Sequence, residues 1–340
     1  MRLNTILGRN FQKTAFRLEA PGSVQDICNS SIVVALTTRC NFQCKHCLRG
    51  SSAARDLPFE LFEKLVHSAR KFNYNFMSLT GGEPLLYPYF KEALELSVKN
   101  GYKFNFATNG HIFDKFAGII EKYRDRTSGV IFSLESVDEA LQDDMRQKGS
   151  YNTLLKDFEI CRKAKIPFYV QTVISPRNYD EIFDLAVFAK KKGARALRLT
   201  TTLPCSRASE NKLVLDREKR DELFVLFRHV SKVLKYPILS TSAIKAQNNV
   251  MLCGALSFAE LALNVNGEFI QCCDLGDNDI EKVKKNAIIT SFKDKTFAQA
   301  LKVISEYQHK FHCLRIDDFE KDPSRLEFNN RLYCINSLNY

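Results

Sequence analysis

Between residues 32 and about 202, short runs of β-branched and aromatic residues alternate with longer amphipathic stretches, and this alternation narrows the possible folds more than any other feature. A repeated strand-then-helix pattern is that of βα units, whose strands pair in parallel under a cover of helices. Six units can be read, with strands predicted at 32–38, 76–80, 103–107, 130–134, 168–174 and 196–201. A helix over 58–72 has Pro58 at its start and Leu61, Leu65 and Val66 on one face, and Cys161 falls on the core side of another. Successive right-handed βα units can curl into a partial barrel, with the functional residues just beyond the C-terminal ends of the strands. The predicted fold is therefore α/β, a partial (β/α)6 TIM-like barrel with a small cysteine-rich C-terminal α+β extension. Its predicted divisions are an N-terminal arm at 1–30, the barrel at 31–205, and a linker helix (216–234) plus extension within 206–340. The βα rhythm is expected to stop at 203–215.

Composition supports a folded chain of this size: 340 residues, 45% hydrophobic and 26% charged, suffice for one large domain and a smaller unit. No run approaches the roughly 20 apolar residues of a membrane span, and no secretory segment opens the chain, so a cytoplasmic protein is expected. Arg2, Arg9, Lys13 and Arg17 read as a basic arm. Eleven cysteines without an export signal point to metal ligation rather than disulfides. The net charge of +11, from 50 Lys and Arg against 39 Asp and Glu, suits an anionic cofactor, an acidic peptide or nucleic acid. No RRM, KH or OB pattern is present, so nucleic acid is not the expected partner.

Cys40, Cys44 and Cys47 form CxxxCxxC directly after the first predicted strand. Three close thiolates can hold one iron–sulfur cluster and leave one iron open, whereas structural zinc takes four closed ligands. His46 adjoins Cys47 and reads as a surface histidine rather than a fourth ligand. At the end of the second strand stands Thr80-Gly81-Gly82-Glu83-Pro84. With both motifs at consecutive strand ends, the chain resembles the radical S-adenosylmethionine (SAM) superfamily. That resemblance implies a [4Fe-4S] cluster whose open iron is chelated by the amino and carboxylate groups of SAM. It further implies that Gly81 and Gly82 let the backbone approach the ligand and that Glu83 supports the ammonium. Thr108, Asn109, Ser133, Glu135, Arg146 and Leu199 become SAM-contact candidates, although many relatives have Asp where this chain has Glu135. Reduction by a partner such as flavodoxin or ferredoxin would cleave SAM to a 5′-deoxyadenosyl radical that takes hydrogen from a substrate.

Further cysteines lie at 253, 272, 273, 313 and 334, and 266–272 reads as a hairpin turn followed by a strand. This segment resembles the GxxxxC hairpin of SPASM and Twitch extensions. Five cysteines are too few for the two clusters of a full SPASM unit, so a Twitch-like extension is implied. Its auxiliary [4Fe-4S] cluster would sit on Cys253, Cys272, Cys313 and Cys334. Cys273 would be a spare, because neighbours along a strand face opposite sides, although Cys272 and Cys273 could exchange roles; a zinc site stays open as the alternative. The resemblance implies modification of a ribosomally made peptide by cross-linking, oxidation or epimerisation. Residues 1–30 are too few for a winged-helix leader-binding domain, so a separate leader-binding protein or direct contacts to the barrel would serve. A small-molecule substrate such as an aminocyclitol or sugar is the alternative, and RNA the more distant one. Cys205, after Leu203-Pro204 at the sixth strand's end, is expected at the barrel mouth, either as a hydrogen-atom donor to a substrate radical or as a packed small residue.

Overall fold

A computed structural model describes residues 30–50, 53–240, 260–276 and 280–321. All six predicted strands form: β1 (Ser30–Thr37), β2 (Tyr74–Gly81), β3 (Lys103–Thr108), β4 (Thr127–Ser133), β5 (Phe168–Ile174) and β6 (Leu197–Thr201). They pair in parallel in sequence order. Between them run α1 (Phe59–Ala69), α2 (Phe90–Lys99), α3 (Ala117–Lys122), α4 (Glu139–Met145), α5 (Ser150–Lys163) and α6 (Ile182–Lys192). Pro58 is the residue that precedes α1, where its missing N–H costs nothing. Leu61, Leu65 and Val66 are buried as their spacing implies, and Cys161 is buried in α5.

The helix-side core explains why these runs become strands. Ile32, Val34 and Leu36 of β1, Phe104 and Phe106 of β3, and Phe168 and Val170 of β5 all enter one large cluster with the helices, as the two-residue period of a strand requires. A file of rings runs through it: Phe113 against Phe132 at 5.0 Å, Phe132 against Phe158 at 5.5 Å, and Phe158 stacked on Phe168 at 5.2 Å. Edge-to-face rings of this kind bring specific attraction beyond the area they bury. The other face of the strands holds Val33, Gly129 and Ser133 and looks into the concave side of the sheet.

The rhythm runs further than expected. After α7 (Ser206–Glu210), α8 (Arg217–Leu234) feeds β7 (Ile238–Ser240), which pairs in parallel with β6. A three-residue strand has too little periodicity to be read in advance, so the predicted stop at 203–215 is corrected. The hairpin read at 266–272 forms as β8 (Glu260–Leu263) and β9 (Glu268–Ile270), joined by β10 (Ile288–Ser291). Rather than standing apart, it lengthens the sheet: β8 pairs in parallel with β1, giving the order β10-β9-β8-β1-β2-β3-β4-β5-β6-β7. The sheet is open, a partial barrel. Short α9 (Cys273–Gly276) and α10 (Glu281–Asn286) lie between β9 and β10, and α11 (Phe297–Lys321) follows. Among the described residues no helix is long and apolar enough to cross a membrane.

The hairpin is fastened to the barrel at its turn. Asn264 Oδ1 accepts from the N–H groups of Asn266 and Glu268, while Arg55 Nη1 donates to Asn266 Oδ1. Lys64 on α1 donates to the carbonyls of Phe292 and Lys293, both at 2.9 Å. Gly267 has φ +74°, and a Cβ there would lie 2.1 Å from Leu61 Cδ2. Gly267→Ala is expected to cost about 1–2 kcal/mol from the left-handed conformation alone, measured by denaturant unfolding; unchanged stability would show that the turn is not held against α1.

Asp157 on α5 offers a second test. It is 3% exposed, its Oδ2 has no hydrogen-bond partner among the described residues, and burial, then Asp114 and Glu83, push its carboxyl up to about 8. The folded protein therefore binds a proton that the unfolded chain releases near 3.8. Stability contributed by that proton is present at low pH and is lost as pH rises from about 4 to about 8. Asp157→Asn should flatten this part of the stability–pH curve, and an unaltered slope would refute the assignment.

Candidate active site

The exits of the first two strands interlock. Gly82 N donates to Thr37 O and Glu83 N to Arg39 O, each at 2.7 Å. A Cβ on Gly81 would lie 2.4 Å from Thr37 O, and one on Gly82 2.2 Å from Arg39 O. Both glycines are thus required by backbone-to-backbone contact before any ligand is considered. On its other side the loop is strapped by residues 53–57. Thr38 N donates to Arg55 O, Arg55 N returns a bond to Thr38 Oγ1, and Arg39 and Thr37 both bind the Asp56 carboxylate.

Within this frame Cys40 is exposed, Cys47 half-buried and Cys44 buried. Burial pushes the Cys44 thiol up to about 11 and raises Cys40. The loop's far end is clamped by Lys45, whose N–H donates to Met145 O and whose Nζ meets Asp144 at 2.6 Å. Arg177 binds the same carboxylate.

Two buried carboxylates organise the other strand ends. Glu83 accepts from Leu85 N, Thr108 Oγ1 and Asn109 N, at 3.2, 2.8 and 2.8 Å. Burial pushes it up to about 7 against the pull of these bonds. It thereby ties the exit of β2 to that of β3, and Asn109 Nδ2 reaches on to Asn41 Oδ1 in the cysteine loop. Beyond β4, Glu135 is fully buried, with Arg146 Nη1 at 2.6 Å and His46 Nε2 at 3.4 Å from Oε1. Val173 N donates to its Oε2. Burial works against the Arg146 charge, but Cys44 and Glu135 outweigh it and hold its pKa above the usual value.

His46 is therefore not the surface histidine expected. It is buried against Glu135, and burial lowers its pKa. Sequence adjacency to Cys47 could not reveal this partner, since Glu135 is 89 positions away and meets it only through the fold. His46 Nδ1 and Arg146 Nε are buried with no hydrogen-bond partner among the described residues. Buried polar atoms are ordinarily paired. Three thiols on one loop that feel one another's charge, a guanidinium beside two of them and two unpaired buried nitrogens form a donor set that fits an anionic cluster with a polar, charged ligand.

Other candidates fall differently. Ser133, at the end of β4, is half-buried on the concave face. Leu199 is fully buried in the helix-side core beside Leu197, two residues away on the same face, so its side chain turns away from the mouth. Cys205 is 1% exposed, packed with Met145, Ala208 and Leu213, and its Sγ lies 3.6 Å from Cys47 O. It borders the cysteine loop from beneath, so packing is the role its surroundings support and an open-mouth donor is not. Cys253 and Cys334 lie outside the described residues, as does the side chain of Cys313, which sits in α11. Cys272 and Cys273 do not diverge as expected: both follow the end of β9, and their sulfurs converge with Asp274.

Comparison with known proteins bears on this arrangement. Residues 34–189 match the model of the radical SAM superfamily. The chain is 30% identical over 184 residues to the AdoMet-dependent heme synthase of Methanosarcina barkeri, covering 52% of this chain and 51% of that protein. It is 26% identical over 183 residues to the mycofactocin maturase MftC of Mycolicibacterium smegmatis, covering 52% and 45%. The chain spans about half the length of these curated relatives. The fold is shared with Streptococcus suis SuiB bound to precursor peptide SuiA, at a TM-score of 0.60 and 14% identity, over 80% of this chain and 65% of that one. That superfamily uses a [4Fe-4S] cluster and SAM, and the donor set at the end of β1 suits both. Over residues 34–189 the barrel is thus similar to radical SAM domains.

Proposed function

We propose that the chain is a radical SAM maturase that modifies a ribosomally made peptide, with a SPASM- or Twitch-like extension holding an auxiliary [4Fe-4S] cluster. The observation that carries the radical chemistry is the meeting of Cys40 and Cys44 with Arg146, itself paired with Glu135 beside His46, at the ends of β1 and β4. Bound there, cluster and SAM would supply a 5′-deoxyadenosyl radical for removing hydrogen from substrate. The three thiolates hold the cluster, and Arg146 offsets its negative charge in a buried site. Gly81 and Gly82 bring the loop close, and Glu83, Thr108 and Asn109 set the polar rim around the SAM amino group. Ser133 contributes from the concave face. Glu135 acts through its neighbours, orienting Arg146 and His46. Cys253, Cys272, Cys313 and Cys334 are the proposed ligands of the auxiliary cluster. A reducing partner such as flavodoxin or ferredoxin supplies the electron.

The peptide reading draws its support from a relative named as a maturase and from a structural neighbour bound to a precursor peptide. A second reading, a small-molecule substrate, is favoured by the 30% identity to a heme synthase. Anaerobic turnover with short peptides encoded beside the gene, followed by mass spectrometry, separates the two. A mass change on a peptide is expected; 5′-deoxyadenosine formation with every such peptide left unmodified would overturn the peptide reading.

After anaerobic reconstitution, iron should be about eight per chain, four for each of two clusters. Replacing Cys40, Cys44 and Cys47 together by Ala should abolish 5′-deoxyadenosine and leave about four. Zinc in the extension, or no remaining iron, would defeat the two-cluster reading. Glu83→Ala should weaken SAM binding by about 1.5–3 kcal/mol, the worth of a hydrogen bond to a charged group. Unchanged affinity in a cluster-loaded variant would remove Glu83 from the SAM site.

A further inference from the structure

The chain leaves β9 at Ile270, and Gln271 N donates to Ala287 O at 2.8 Å. Cys272 then stands off the ladder, and Cys273 opens α9. The alternation that separates neighbouring side chains along a strand no longer applies here, and both thiols turn to one side. Their sulfurs and an Asp274 carboxylate oxygen all lie within 4.8 Å of one another. The carboxylate is shared evenly: Cys272 Sγ lies 4.0 Å from Asp274 Oδ2, and Cys273 Sγ 3.8 Å from Oδ1. Cys273 also packs against Val33, Ala262 and Ile270, so the group lies on the concave side of the sheet.

Metal–sulfur bonds of about 2.3 Å and metal–oxygen bonds of about 2.0–2.2 Å let donors this close surround a single metal position. Thiolates that bind two different irons of a cube stand on separate corners. Resting on the reading that the extension holds an auxiliary [4Fe-4S] cluster, we propose that Cys272 and Cys273 serve one iron of that cluster interchangeably. Asp274 accepts a hydrogen bond from whichever thiol is not bound. The exchange balances: one Fe–S bond forms as the other breaks, and the incoming thiol's proton passes through the Asp274 carboxylate to the departing sulfur. No electron moves. This corner can therefore release a sulfur without losing the cluster.

The test uses the full chain with Cys40, Cys44 and Cys47 replaced by Ala, reconstituted anaerobically so that only the auxiliary cluster remains. That background should hold about four irons. Cys272→Ala and Cys273→Ala, added singly, should each keep about four, and both together should lose most of them. Electron paramagnetic resonance of the reduced cluster reads the ligand directly, whatever the folding of the double variant. The spectrum with both cysteines present should be a mixture of the two single-variant spectra. Loss of iron in Cys272→Ala alone, or a spectrum matching only one single variant, would establish a fixed ligand and overturn the exchange. A background that holds no iron would instead overturn the auxiliary cluster itself, and the exchange with it.

Discussion

Two backbone hydrogen bonds, from Gly82 to Thr37 and from Glu83 to Arg39, set the geometry on which the rest of the site depends. They hold the exit of β2 against the start of the cysteine loop, at a separation that no side chain at 81 or 82 could share. Because the contact is between main chains, it is indifferent to the ligand and is made by folding alone. The cysteines then follow from an anchored end, strapped by Arg55 and Asp56 on one side and clamped through Lys45 and Asp144 on the other. A loop held at both ends loses little further freedom when it wraps a cluster, and this preorganisation favours binding.

The two buried carboxylates differ in what surrounds them. Glu83 is met by N–H and hydroxyl donors and is pushed up by burial. Glu135 instead faces a guanidinium and an imidazole. A buried charge is tolerable when paired and hydrogen-bonded, and Glu135 has both kinds of partner. The pair places a neutralised anion directly behind the cysteines, so the positive charge of Arg146 is held in place and not free to wander to solvent. One Glu135 carboxylate engages Arg146, His46 and Val173 N together.

The extension joins the barrel as a continuation of its sheet. β8 pairs with β1, the strand that delivers the cysteine loop, while the hairpin turn touches Arg55 in the strap of that same loop. Cys273 packs against Val33 on β1. The cysteine loop and Cys273 are thus both tied to one strand, β1.

Much of the architecture was legible in order along the chain. Two-residue and helical periodicity marked the six strands and α1, because a side chain's face is a local consequence of backbone geometry. The glycines, Glu83 and the cysteine spacing announced the site for the same reason: each is a short-range pattern. What the sequence by itself could not determine is which distant groups meet. It placed His46 at the surface and Leu199 among the SAM contacts, left Cys205 between hydrogen donor and packed small residue, and sent Cys272 and Cys273 to opposite faces. Tertiary structure decided these, burying His46 on Glu135, turning Leu199 under the helices and choosing the packed reading for Cys205. It also brought the last two thiols together where the strand had already ended. The physical reason is common to all four: burial and partnership are set by strands and helices far apart in sequence, and a one-residue change in where a strand ends reverses the side to which everything after it points.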